Sequence, residues 1–239
     1  MSADGAERAE EFLRIAAAHV RRQVGNALEV TVVCAAGTRM NALSATARGA
    51  RALVIGRPRH RGPERMVGAG SNLSLARRIE CPLIVVPGSW KVAPSRRDVA
   101  VGVDGTALSA EAVGYAFGAA AARGGNLIAI HAAPRLSAPD GLWVQKAELE
   151  LAEVLGSWSA KHPEVKVTRY LTCRPVVAAL LKKSREVSLV VLGAHAGILP
   201  LDDPTTRRAM ATMTGPVAVL PHRPRLRTEP TPPAAVVTN

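Results

Sequence analysis

The chain has 239 residues, room for one large or two small domains. Hydrophobic residues make up 48% of it, enough for a packed core, whereas aromatics are only 3%, which argues against base stacking or an aromatic-lined sugar site. The formal net charge of +12 favours loose association with polyanions, but the arginines concentrate in one loop (Arg57, Arg59, Arg61, Arg65), at Arg96-Arg97 and near the end (Arg223, Arg225, Arg227), a pattern that calls for no specific nucleic-acid site.

The opening residues 1–11 are polar and acidic, unlike a signal peptide, and no apolar run approaches the roughly 18 residues of a membrane span; a cytoplasmic location with no membrane partner is expected. A helix is predicted over residues 7–22. Ala9, Phe12, Leu13, Ala16 and Val20 share one face, and Glu7, Glu10 and Glu11 at its start and Arg21 and Arg22 at its end suit the helix dipole. Gly25-Asn26 stops it. A strand at 29–34, a helix at 41–48, a strand at 52–56, a helix at 71–79 and a strand at 83–86 follow. Residues 91–97, inside the Pro-punctuated basic stretch 87–97, read as a linker. Beyond it come a strand at 98–103, the turn Asp104-Gly105-Thr106, a helix at 109–123 stopped by Gly124-Gly125, and a strand at 127–131. A helix at 144–160 and strands at 165–170, 189–192 and 217–220 complete the series. Residues 223–239 are basic, Pro-rich and without periodicity, which predicts a disordered tail. Cys34, Cys81 and Cys173 lie far apart in apolar runs with no CxxC pair, so they read as small core residues and no metal site is expected. Trp143 and Trp158 read as core or dimer-contact residues.

The organising feature is a repeat. "EVTVV" at 29–33 is matched by "EVKVT" at 164–168, "ALVIG" at 52–56 by "LVVLG" at 189–193, and "CPLIVVP" at 81–87 by "GPVAVLP" at 215–221. The order is conserved within the chain at an offset of roughly 135 residues, the size of a small domain. The strands are rich in Val, Ile and Leu without alternation, as in parallel sheets covered on both faces, and their alternation with helices implies right-handed crossovers in a doubly wound sheet.

These motifs carry a resemblance. "VAVGVDGTALSAEAVGYAFGAAAARGGNLIAIHAAP" (99–134) resembles the opening strand, helix and second strand of a universal stress protein domain. "SLVVLGAH" (188–195) resembles that family's fourth strand and loop, and "ALVIG…GAGSNLSLARRIECPLIVVP" the same region of another copy. The resemblance implies an α/β fold of two Rossmann-like units, of the adenine nucleotide α-hydrolase-like type, with parallel strands in the order 3-2-1-4-5. It places a first unit at 1–90, lacking its first two strands, and a complete unit at 98–222. Tandem copies of this kind pair through their last strands, here 83–86 and 217–220, which would cover two exposed sheet edges. The implied assembly is a homodimer or an intramolecular pseudo-dimer, with a protein partner unspecified.

The family includes ATP binders and non-binders. Binding implies an Asp after the first strand and a glycine loop after the fourth, G-x-x-G followed after a spacer by G-S or G-T, where glycines let amides approach phosphates at a helix start. In the second half the resemblance assigns Val103, Asp104 and Ala132 to the base side, and Gly193, His195 and Ala196 to the loop. Ala196 stands for the second glycine, and Asp203-Pro204 for the Gly-Ser pair; a carboxylate repels phosphate, Pro removes an N–H donor, and Asp202 adds a second charge. In the first half Gly56, Gly70, Ser71 and Asn72 resemble the phosphate loop, and Arg57, Arg59 and Arg61 are candidates for anion binding. No catalytic residue stands out; His131 and His195, at strand ends, read as structural. The expectation is a non-enzymatic stress-response or regulatory binding module with weak or lost ATP binding and hence no cofactor. An ATP-binding switch using the second-half pocket is the alternative. A hydrolase of the wider adenine-nucleotide group ranks lower, because "VDGTALSAE" lacks the S-G-G-x-D pyrophosphatase loop.

Overall fold

A computed structural model describes residues 3–25, 28–57, 63–104, 107–132, 142–193 and 204–221. The predicted tail therefore lies outside the described residues. The chain divides into two compact units, Met1–Thr46 and Ala47–Asn239. This boundary falls well before the one expected near residue 90, because the strands on either side of that point belong to one hydrogen-bonded sheet.

The smaller unit holds α1 (Ala3–Val24) and α2 (Arg39–Thr46). The first helix forms as the charge pattern predicts, with Arg21 and Arg22 in its last turn. Among its described apolar side chains only Ala17 is buried, while Phe12 is 70% and Ile15 58% exposed. Residues 29–36 form no strand, contrary to expectation. A strand exists only beside a hydrogen-bonded neighbour, and this unit supplies none. Cys34, in that segment, is consequently exposed; Cys81 is buried as expected and Cys173 partly so.

The larger unit contains β1 (Leu53–Arg57), α3 (Pro63–Ala76), β2 (Leu83–Pro87), β3 (Val99–Val103), α4 (Ala107–Ala121), β4 (Leu127–Ala132) and α5 (Leu142–Lys161). It continues with β5 (Val167–Thr172), α6 (Val176–Lys183), β6 (Leu189–Gly193), α7 (Pro204–Thr212) and β7 (Val217–Leu220). The strands form one seven-stranded sheet in the order β1-β2-β7-β6-β3-β4-β5. Reading β3 to β7 as strands one to five, their spatial order is the expected 3-2-1-4-5, and every pair among them is parallel. β1 and β2 are parallel to each other, but β2 meets β7 antiparallel, with Leu83 opposite Val219 and Val85 opposite Val217. The two predicted last strands are thus paired, and the sheet is mixed at that single seam.

Strand burial follows position. β6 and β7 are buried along nearly their whole length and β3 at four of five residues, as Val/Leu-rich central strands covered on both faces must be. β1 and β5, at the edges, are half open. The core gathers Val99, Val101, Phe117, Leu127, Leu155 and Val191 between the sheet and the helices α4 and α5. α4 stops where the glycine pair predicts: Gly124 takes φ 58°, and the amides of Gly124 and Gly125 bond the carbonyls of Ala121 and Ala120. α6 and α7 were not legible as helices, yet parallel neighbours require such crossovers. No helix among the described residues is long and apolar enough to cross a membrane.

Trp158, read from sequence as a packing residue, leans on α4 with its ring against Gly114; the side chain of Trp143 lies outside the described residues. A Cβ at Gly114 would fall 2.3 Å from the Trp158 ring, whereas one at Gly118, a turn later, meets nothing within 4 Å. Gly114→Ala should therefore destabilise by about 1–3 kcal/mol through overpacking, while Gly118→Ala should stabilise by about 0.5–1 kcal/mol through helix propensity. Urea unfolding of the two variants checks the contrast; equal effects would mean that the α4–α5 contact is not as described.

Candidate functional site

Three parallel strands end on one rim of the sheet, and their ends define a cleft. β3 contributes Gly102 and Val103 with Asp104 just beyond, β4 contributes Ala132, and β6 contributes Leu192 and Gly193. Ser109 of α4, Val176 of α6, and Thr205 and Thr206 of α7 close it around a cavity of about 240 Å³. Between β3 and β6 the chain order reverses direction across the sheet, the switch point at which crevices open in doubly wound folds. The sequence assignment of Val103, Asp104, Ala132 and Gly193 to one place is met by this geometry. His195 and Ala196 lie outside the described residues.

Sequence reasoning missed Ser109, Val176, Thr205 and Thr206. The signal for the last two was present but read as decay: Pro204-Thr205-Thr206 is a helix start. Proline suits the first helical position because its missing N–H has no intrahelical acceptor there. The proline costs the cleft one donor, but the amides of the next two residues belong to the same unsatisfied first turn. Thr206 is buried, and its hydroxyl donates to the Gly193 carbonyl at 3.4 Å, tying the start of α7 to the end of β6.

His131 is buried at the end of β4, where its Nδ1 meets the Val103 carbonyl at 3.0 Å. A carbonyl only accepts, so Nδ1 carries the proton. The ring thereby staples β4 to β3 beside the cleft. No group of three His, Cys, Asp or Glu side chains among the described residues is arranged to hold a metal ion.

The first-half candidates fall elsewhere, and two readings need correction. Gly70, Ser71 and Asn72 do not start a helix. α3 begins at Pro63, and these residues sit well past its first turn, where amides bond carbonyls of the preceding turn and are not offered to a phosphate. Ser74 returns its hydroxyl to the Gly70 carbonyl at 3.1 Å, and Asn72 is buried. Arg57, a candidate for anion binding, instead donates Nη1 to the Met210 carbonyl and Nη2 to the Met213 carbonyl, both at 2.7 Å. It caps the carbonyl end of α7, where a cation also meets the negative end of the helix dipole. Arg59 and Arg61 lie outside the described residues. Because β2 runs antiparallel to β7, Gly56 at the end of β1 and Asp104 at the end of β3 also lie on opposite rims, so the two half-motifs form no composite site.

Comparison with known proteins follows the same outline. Residues 95–221 match the model of the universal stress protein family. A universal stress protein of Mycobacterium tuberculosis is 39% identical over 130 residues, covering 51% of this chain and 44% of its own length. Another from the same organism is 31% identical over 186 residues, covering 72% of this chain and 58% of its own length. The chain thus spans about half the length of the curated relatives it matches. Among solved structures, a universal stress protein from Archaeoglobus fulgidus superposes with a TM-score of 0.67 at 20% identity, covering 90% of this chain and 76% of that one. A functionally unknown protein from Pseudomonas aeruginosa gives 0.59 at 15% identity, covering 89% and 77%.

Replacing Arg57 by Met keeps the bulk of the side chain but strips two charge-assisted hydrogen bonds from the end of α7. The expected loss is about 2–4 kcal/mol of unfolding free energy. Added sulfate should shift the melting temperature of Arg57→Met and of the parent chain equally; a sulfate effect that disappears in the variant would return Arg57 to the anion-binding role.

Proposed function

The chain belongs to the universal stress protein family, and we propose that it is a non-enzymatic regulatory module of the stress response whose cleft takes the adenosine end of an adenine nucleotide and holds the phosphates weakly. The carrying observation is that Val103, Asp104, Ala132 and Gly193, the residues assigned to the base side and the loop start, meet in one cavity at the switch point of the sheet. Its volume of about 240 Å³ lies just below the roughly 300–1,000 Å³ of typical small-molecule sites.

Charge supports the second half of the reading. Asp202 and Asp203 stand in the sequence immediately before the helix α7, and a negative charge there disfavours a phosphate. The absence of an N–H at Pro204 weakens the same end. The non-enzymatic reading draws on His131, whose Nδ1 is committed to the Val103 carbonyl and whose ring is buried. The module would then work in the cytoplasm by presenting a surface to a second copy or another protein, in a tandem arrangement whose first copy supplies β1 and β2. One observation favours an ATP-responsive switch instead: Thr205 and Thr206, in the first turn of α7, line the cleft and could greet a phosphate.

Calorimetry with ATP, AMP and adenosine, each against the parent chain and Asp104→Ala, separates the readings. Adenosine and ATP should bind within about threefold of each other, and Asp104→Ala should weaken both at least about tenfold. ATP binding about tenfold or more tighter than adenosine would establish the switch. No heat with any of the three would leave a module that works without nucleotide.

A further inference from the structure

α1 turns an apolar face outward. At about 100° per residue, Phe12, Ile15, Ala16 and Val20 fall within one stripe roughly 140° wide. Phe12, Ile15 and Val20 are exposed and Ala16 is half-buried; Leu13 and Ala17, beside the stripe, take what cover the unit gives. Apolar side chains scattered singly on a surface need no explanation, but a contiguous stripe does.

The internal repeat shows what such a stripe is for. At the offset that relates 29–33 to 164–168, Phe12, Ala16 and Val20 correspond to Ala147, Leu151 and Leu155 of α5. All three of those are buried, and the helix α4 packs on α5. The first half repeats the stripe, but α2, the other helix of its unit, leaves it open.

Charge points to the molecule that covers it. Residues 7–11 carry Glu7, Glu10 and Glu11 against Arg8, whereas the last turn carries Arg21 and Arg22. The helix is acidic at one end and basic at the other, and so complements its own reverse. Two copies laid antiparallel bring each acidic end to the partner's basic end, and their helix dipoles then also oppose. Glu11 and Arg22 flank the stripe on the same side, and a two-fold axis sets like flanks against each other, so Glu11 faces the partner's Arg22. Arg22 makes no hydrogen bond or ion pair among the described residues. Glu11 already accepts from Arg14 Nε at 2.9 Å, an exposed pair that leaves room for a second cation. Arg21 donates to the Val30 carbonyl and adds only its charge to that end.

We infer that α1 is a self-association surface through which two copies of this chain pair antiparallel. The two-fold axis passes near Ala16, whose small side chain lets the helices approach to about 8–10 Å, and Phe12 of each copy packs on the partner's Val20. The contact is isologous and closed, so it gives a dimer and not a filament. It spans one helix face, less than a standard interface, and a dissociation constant of about 10–100 μM is expected. The pairing supplies the second copy named in the proposed function and rests on that part alone. Nucleotide calorimetry and mass measurement are separate, so either can fail without the other.

Sedimentation equilibrium of the full chain from about 1 to 300 μM tests the pairing. The parent should pass from monomer to dimer over that range and go no further. Phe12→Asp, at an exposed site, should weaken the dimer at least about tenfold with unchanged helical circular dichroism and melting temperature. Glu11→Arg and Arg22→Glu should each weaken it about fivefold or more. An equimolar mixture of these two variants should regain the parent's affinity, because the mixed pair again sets opposite charges at both flanks. The proposal is overturned if the parent stays monomeric throughout, which would hand the stripe to a different protein. It is equally overturned if Phe12→Asp associates as the parent does, which would put the dimer on another surface. A mixture that associates no better than either variant alone would exclude the antiparallel order and overturn it as well.

Discussion

The antiparallel pairing of Leu83–Val85 with Val217–Val219 is the constraint on which the larger unit depends. β7 is buried at every residue, so its backbone groups on the outer side have no access to water and require a partner. β2 supplies it, and β1 then rests on β2 through a parallel ladder from Leu53 to Arg57. The same joint explains why Arg57, at the far end of β1, can reach across to the end of α7 and satisfy two carbonyls there. Backbone pairing, the packing of α3 on α7 and the Arg57 guanidinium thus fasten β1 and β2 to the strands β3 to β7.

Reversal of strand direction at the joint sorts the chemistry. Carboxyl ends of β3, β4 and β6 gather Asp104, Ala132 and Gly193 on one rim. On the other rim the amino ends of β6 and β7 meet the carboxyl half of β2, and there the arginines of the connecting segment collect. Motifs that look complementary along the sequence, an adenine-side Asp in one half and a Gly-Ser pair in the other, are therefore held apart by topology.

Much of this was legible beforehand where local pattern and burial agree. The Val-rich runs at 99–103, 189–193 and 217–220 are apolar at nearly every position because both faces are covered, so they could be read as central strands without knowing their neighbours. The glycine pair at 124–125 ends α4 by a conformation that favours glycine, hence its clear signal. Illegible features were those decided at a distance. Residues 29–36 have strand composition but no neighbour within their unit to pair with. Gly70-Ser71 looks like a loop end until Pro63 is seen to begin the helix earlier. Arg57 looks like a free loop cation, and nothing local reveals that α7 ends beside it. For the cleft, strand-end residues were readable from motif order, whereas Ser109, Val176, Thr205 and Thr206 arrive from three helices and needed the packing.

β6 has one further property. Leu189 borders a second cavity, lined also by Ile84 and Val86 of β2, and Leu192 and Gly193 border the cleft, so this one strand touches both. At about 3.3 Å per residue the two lie some 13 Å apart along its axis. Four of its five residues are buried, so it cannot bow sideways without opening a void in close-packed surroundings. Its ladders to β3 and β7 equally resist sliding along its axis, so β6 acts as a rigid spacer that fixes the distance between the two rims of the sheet.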